Sequence, residues 1–232
     1  EALAAFGEGP RVLAQPGQED TARAVARDLP NVYALVKDRL GFAPAGVPDV
    51  KLYTDAGALS ASVALNLKAV AGWNEPGEAI KLANPSWPAA RATLAHELTH
   101  FVVFARHGAG EKRIPWWLHE GLAQYVASGE WTERARREYL GRSSAWARQE
   151  ALVAWARMAN YDETPTDLWP HVYAQGYAFA RYVTETYGMG SLTAFMTVLS
   201  DGGTVDAASG RAFGKSFAAL DADLRGWLAR TD

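Results

Sequence analysis

The chain has 232 residues, 49% of them hydrophobic and 21% charged, and its 23 basic and 26 acidic residues give a formal net charge of −3. So small and evenly spread a charge excludes counterion-release binding to nucleic acid and a polybasic membrane patch, and no apolar run reaches the roughly 18 residues a membrane helix needs. There is no cysteine, which removes disulfide scaffolds, cysteine nucleophiles, iron–sulfur clusters and thiolate zinc sites, so any metal must sit on His, Asp or Glu.

In chain order, Arg11 to Ala14 reads as a short strand. Between Asp20 and Leu40 the residues Ala24, Val25, Val32, Leu35 and Val36 recur at helical spacing, with Pro30 as a kink or break, which predicts one or two helices. Pro48 to Thr54 alternates as a half-buried strand does, and Asp55 is placed to cap a helix running to about Leu65. Ala69 to Trp73 and Glu78 to Ala83 read as two strands joined by a turn at Asn74-Glu75-Pro76-Gly77. From Ser86 onward no segment reads as a strand. A helix over 87–107 carries Leu94, Leu98, Phe101 and Ala105 on one face and stops at Gly108 and Gly110; another starts at Pro115 and runs to Ala127. Further helices are predicted at 132–140, 144–158, 171–187, 190–199 and 215–229. The expected class is α+β: a small mixed N-terminal sheet with helices, then an all-helical C-terminal half. The division expected is an α+β subdomain over 1–110, ending in the helix over 87–107, and a helical subdomain over 111–232, together one functional unit.

The chain has five histidines, and four of them, His96, His100, His107 and His119, cluster. His96-Glu97-Leu98-Thr99-His100 lies inside the strongest predicted helix. At 100° per residue the two histidines stand about 40° apart in azimuth and one turn apart in height, so both imidazoles reach one ion. Glu97, turned away, suits a general base acting on a metal-activated water. A catalytic zinc needs a third protein ligand. His107 lies about 10 Å further along the same helix and is out of reach. A metzincin pattern would require Gly and His where Val103 and Arg106 stand. His119 and Glu120 in the next helix remain. Glu120 is favoured, because its spacing lets an antiparallel helix return beside the first, and because Gly121 after it lets two helices approach closely.

The pair His96-Glu97-Leu98-Thr99-His100 and Pro115-Trp116-Trp117-Leu118-His119-Glu120-Gly121-Leu122-Ala123 resembles the gluzincin zinc metallopeptidases, in particular the peptidase MA-like family. A weaker likeness continues through Tyr173-Ala174-Gln175-Gly176-Tyr177-Ala178-Phe179-Ala180-Arg181-Tyr182 and Phe213-Gly214-Lys215-Ser216-Phe217, so that it covers residues 48 to 230. The resemblance implies a zincin-like fold, Zn2+ held by His96, His100 and Glu120, Glu97 as catalytic base, and Tyr173 as donor to the oxyanion. The other candidates for that donor are His171, the runner-up, and Tyr177, for which a core aromatic is the favoured reading. It also implies a peptide or protein substrate laid along an exposed edge strand near Glu78 to Asn84. Where many gluzincins carry an acid that supports the first His ligand, this chain has Gln124, a weaker acceptor for an imidazole N–H. The nine tryptophans invite a carbohydrate-platform reading, but their helical spacing favours packing.

The competing readings are a zinc hydrolase of a non-peptide amide or ester and a catalytically silent peptidase-like binding module; retention of Glu97 speaks against the second. The chain begins at Glu1 without an initiator Met, and an extracytoplasmic or secreted, processed product is expected. Composition leaves oligomeric state open.

Overall fold

The computed structural model describes residues 3–6, 10–44, 46–63, 71–83 and 85–231, with only the backbone described for Ala4 and Phe6. The chain divides into two compact units, Glu1–Arg106 and His107–Asp232. None of its described helices is long and apolar enough to cross a membrane.

The first unit holds β1 (Ala4–Phe6), β2 (Val12–Ala14), α1 (Glu19–Leu40), β3 (Asp49–Tyr53), α2 (Ala56–Ala61), β4 (Gly72–Glu75), β5 (Ala79–Ala83) and α3 (Arg91–His107). The strands form one mixed sheet in the order β1-β2-β3-β5-β4. The central pairs β2/β3 and β3/β5 are parallel, with Val50 opposite Val12 on one side and Ile80 on the other, and β1 and β4 join antiparallel at the two ends. Parallel neighbours need crossover connections, and α1 supplies the one from β2 to β3. Its buried stripe Ala22, Val25, Leu29, Val32, Val36 and Leu40 follows the 3-4 spacing of one helix face. Burying its larger side chains at ~1.5–3 kcal/mol each outweighs the ~3 kcal/mol an internal proline costs, so α1 runs through the exposed Pro30 as one helix. Gly41, at φ 72, ends it, its N–H donating to the Lys37 carbonyl.

Asp55 caps α2 as expected, accepting from the Ala58 N–H at 2.8 Å, but α2 ends at Ala61, and Leu65 lies outside the described residues. The hairpin differs in register from the sequence reading. Asn74 and Glu75 belong to β4, and the turn falls at 76–78, where Gly77 takes φ 81; the expected strand residues Ala69 and Val70 lie outside the described residues. The expected edge strand near Glu78 to Asn84 is also corrected. β5 is paired on both sides, and among the described residues β4 is the end of the sheet; Asn84 lies outside the described residues. The near-continuous burial of β5 over Ala79–Leu82 is what a two-sided interior strand shows.

α3 starts later than predicted, at Arg91. Its first residue is tied to α1, where Asp28 accepts from the Arg91 guanidinium at 3.0 Å and from the Trp87 indole N–H at 2.8 Å. Those contacts, the Trp87 bond first, hold the Asp28 carboxyl below its ordinary range. The buried face of α3 is Leu94, Ala95, Leu98, Val102 and Val103. Ala105, expected on that face, is exposed.

The second unit comprises α4 (Trp116–Ala127), α5 (Glu133–Arg148), α6 (Trp169–Tyr187), α7 (Met189–Ser200), α8 (Val205–Phe213) and α9 (Phe217–Arg230), with short 3-10 turns between them. The two helices predicted over 132–158 are one helix, α5, which passes through Gly141 and stops where Glu150 adopts φ 55; residues 155–158 form a separate 3-10 turn. α8, not expected from the sequence, is capped by the Thr204 hydroxyl, which accepts from the Ala207 N–H. The core is aromatic: Trp117, Trp155, Phe179, Phe195 and Phe217 meet with ring centroids 4.4–6.3 Å apart. The tightest seam joins α4 to α6. A Cβ built on Gly121 would lie 2.2 Å from the Gly176 carbonyl carbon, and one on Gly176 would lie 2.3 Å from the Trp117 carbonyl oxygen, so neither position has room for any side chain. Gly121 therefore does serve close helix approach, but the helix it admits is α6.

Candidate metal centre

His96 and His100 stand one turn apart on α3, their ring centroids 4.8 Å apart and their Nε2 atoms 3.1 Å apart. Two bonds of ~2.05 Å at a tetrahedral angle would separate the nitrogens by about 3.3 Å, so the pair fits a shared small cation. Both rings are half-buried, and Glu97 between them is 7% exposed. Beside Glu97 runs β4. A Cβ placed on Gly72 would lie 2.8 Å from Glu97 Oε1, 2.9 Å from its Cγ and 3.0 Å from Thr93 Cγ2.

Glu120, 9% exposed, sits in the middle of α4. One turn earlier, Trp116 donates its indole N–H to Glu120 Oε1 at 3.0 Å. Trp116 is in turn met edge-to-face by Tyr161, Trp169 and Tyr173 at centroid distances of 5.1, 5.5 and 6.2 Å. Tyr139 lies close enough to feel the Glu120 charge. Burial pushes its phenol up to about 12, and the neighbouring carboxylate acts in the same direction, against Arg142.

His96, His100 and Glu120 each offer one ligand atom, and these atoms all lie within 4.8 Å of one another. Two imidazoles and a carboxylate are a donor set suited to zinc.

The other residues singled out in the sequence have definite places. His107 bonds Ser200 through Nδ1 at 2.9 Å. His119 Nε2 lies 3.3 Å from both the carbonyl and the carboxylate of Glu111. His171 stacks on Trp146 at 3.8 Å, and burial lowers its pKa. Tyr177 is 1% exposed and packs against Trp131 and Tyr139, as a core aromatic does. Tyr173, half-buried, touches Trp116. The Gln124 amide donates to the Tyr139 hydroxyl at 3.3 Å. None of the described tryptophans is among the exposed large hydrophobics, in keeping with packing.

Sequence reasoning did not single out Gly72, Tyr139 or the bond from Trp116 to Glu120. A glycine inside a strand is a known sign of close approach, and the i, i+4 spacing of Trp116 and Glu120 was available as a hint; Tyr139 had no local signal.

A pair of histidines one helical turn apart and a buried carboxylate on a second helix define this as a candidate metal centre of the His-His-Glu type. The chain belongs to the Peptidase MA superfamily, whose family model matches residues 52–230, from within β3 to the end of α9. That family is generally metal-dependent. Comparisons with curated proteins and with solved structures give no match.

Proposed function

We propose that the chain is a zinc-dependent metallopeptidase of the zincin type, with His96, His100 and Glu120 holding the ion and Glu97 acting as general base. The observation that carries this reading is the gathering of the three ligand atoms within 4.8 Å in a chain of the Peptidase MA superfamily. Zinc bound there supplies Lewis acidity to the scissile carbonyl and acidifies the attacking water. Glu97 accepts the water proton on its carboxylate and delivers it to the departing amine, serving as base and then as acid. Its low exposure limits competition from bulk solvent. The Trp116 indole N–H fixes the orientation of the Glu120 carboxylate, the outer-sphere support that metal ligands need. Tyr173 donates its hydroxyl hydrogen to the carbonyl oxygen as negative charge develops there. The substrate is a peptide or protein, and β4, at the end of the sheet, offers main-chain groups to an extended segment.

Metal analysis of the purified chain together with Glu97→Gln tests the proposal. About one zinc per chain is expected in both proteins, and peptide hydrolysis is expected to fall about 10³-fold in the variant. Absence of zinc, or an undiminished rate in Glu97→Gln, refutes it.

A further inference from the structure

Gly72 is the one residue of β4 without a side chain, and it lies against the Glu97 carboxylate. Its φ falls outside the left-handed range, so backbone conformation does not demand glycine here. Space does. A Cβ would come within 2.8–3.0 Å of Glu97 Oε1, Glu97 Cγ and Thr93 Cγ2, distances at which something must move. The candidates for movement differ in stiffness. β4 is hydrogen-bonded to β5 in the register Gly72 to Leu82, and Thr93 and Glu97 project from the regular turns of α3. The most compliant atoms are those of the Glu97 side chain, which can rotate about its χ angles.

We propose that Gly72 is a positioning residue for Glu97: the absence of a Cβ at 72 is what allows the carboxylate to occupy its place beneath β4. The inference rests on the peptidase reading for its kinetic consequence, but not for the contact itself. A side chain at 72 turns the carboxylate away from its observed place. Misplacing a reacting group by about 1 Å costs on the order of 10²-fold in rate.

The test is Gly72→Ala. Hydrolysis of a peptide substrate is expected to fall about 10- to 100-fold in kcat, with KM and zinc affinity changed less than about twofold, because no ligand moves. A crystal structure of the variant is expected to show the Glu97 carboxylate rotated away, with His96 and His100 in place. An unchanged kcat, a loss of zinc that accounts for the lost rate, or a Glu97 that stays put while β4 shifts overturns the proposal. Should Gly72→Ala fold poorly, Glu97→Ala in the same chain removes both clashing Glu97 atoms and is expected to restore the melting temperature toward that of Glu97→Ala alone. An equal loss in both backgrounds overturns the contact. If the native chain hydrolyses no peptide, the peptidase reading fails by itself, and the crystal structure and the melting temperatures still decide on Gly72.

Discussion

The two units each bury a carboxylate that the proposed chemistry needs, and each carboxylate meets a different constraint. In the first unit Glu97 is confined by shape: a strand passes over it, and the clearance exists because residue 72 is glycine. In the second, Glu120 is held by a directed bond from Trp116, and the aromatic rings around that indole fix its orientation in turn. The difference suits the roles assigned to them. A base must reach the proton it moves, and the clearance at residue 72 bounds where the Glu97 carboxylate can lie. A ligand must keep one orientation, and a hydrogen bond to one oxygen enforces that.

The glycine seam of the second unit is the place where the contrast breaks most severely. Gly176→Ala, which pushes a methyl into the Trp117 carbonyl, is expected to lower unfolding stability by about 3 kcal/mol, at the upper end of ordinary overpacking costs because backbone atoms cannot rotate aside; urea denaturation measures it. A loss below about 1 kcal/mol would show that α4 and α6 can part. Next in size is Trp116→Phe, which keeps a ring and removes the N–H. Zinc affinity is expected to drop about tenfold by competition with a chromophoric chelator, the lower end of what lost outer-sphere partners cost. Unchanged affinity would mean that the Trp116 bond does not set the ligating orientation of Glu120. The smallest effect concerns Tyr139. Its phenol is raised to about 12 in the folded chain against about 10 when unfolded, so between those values the unfolded chain releases a proton that the folded one keeps. Stability from this shift is whole below pH 10 and declines as pH rises toward 12. Tyr139→Phe is expected to flatten that part of a stability–pH curve; an identical slope would assign the decline to other groups.

Patterns that repeat along the chain were legible in the sequence. The apolar stripe of α1, the cap at Asp55 and the turn-apart histidines of α3 follow from helical periodicity and short-range hydrogen bonding, which a single sequence displays. Features with less local pattern were legible only in part. β2 was read as a strand, whereas β1, also of three residues, has no alternation to read. The stretch from Asn74 to Gly77 permits the turn at more than one point, and pairing with β5 selects the later one. The break expected between 140 and 144 is absent, and α5 runs through Gly141 as one helix. The two proposed carboxylate supports involve partners that sequence distance hides to different degrees. Trp116 stands four residues from Glu120, whereas β5 and the first turns of α3 separate Gly72 from Glu97. Sequence also suggested a purpose for Gly121 without its partner, because Gly176 lies 55 positions on.

That seam has a mechanical meaning. Glu120 directly precedes Gly121, and Tyr173 stands one turn before Gly176, so the two helices carrying these side chains are braced backbone to backbone beside them. Most helix pairs rest on side chains that can change rotamer and so give a little under load. At the Gly121–Gly176 crossing this pair has no such cushion, and there it forms a joint without play, in which main-chain thickness sets the spacing of the segments that carry Glu120 and Tyr173.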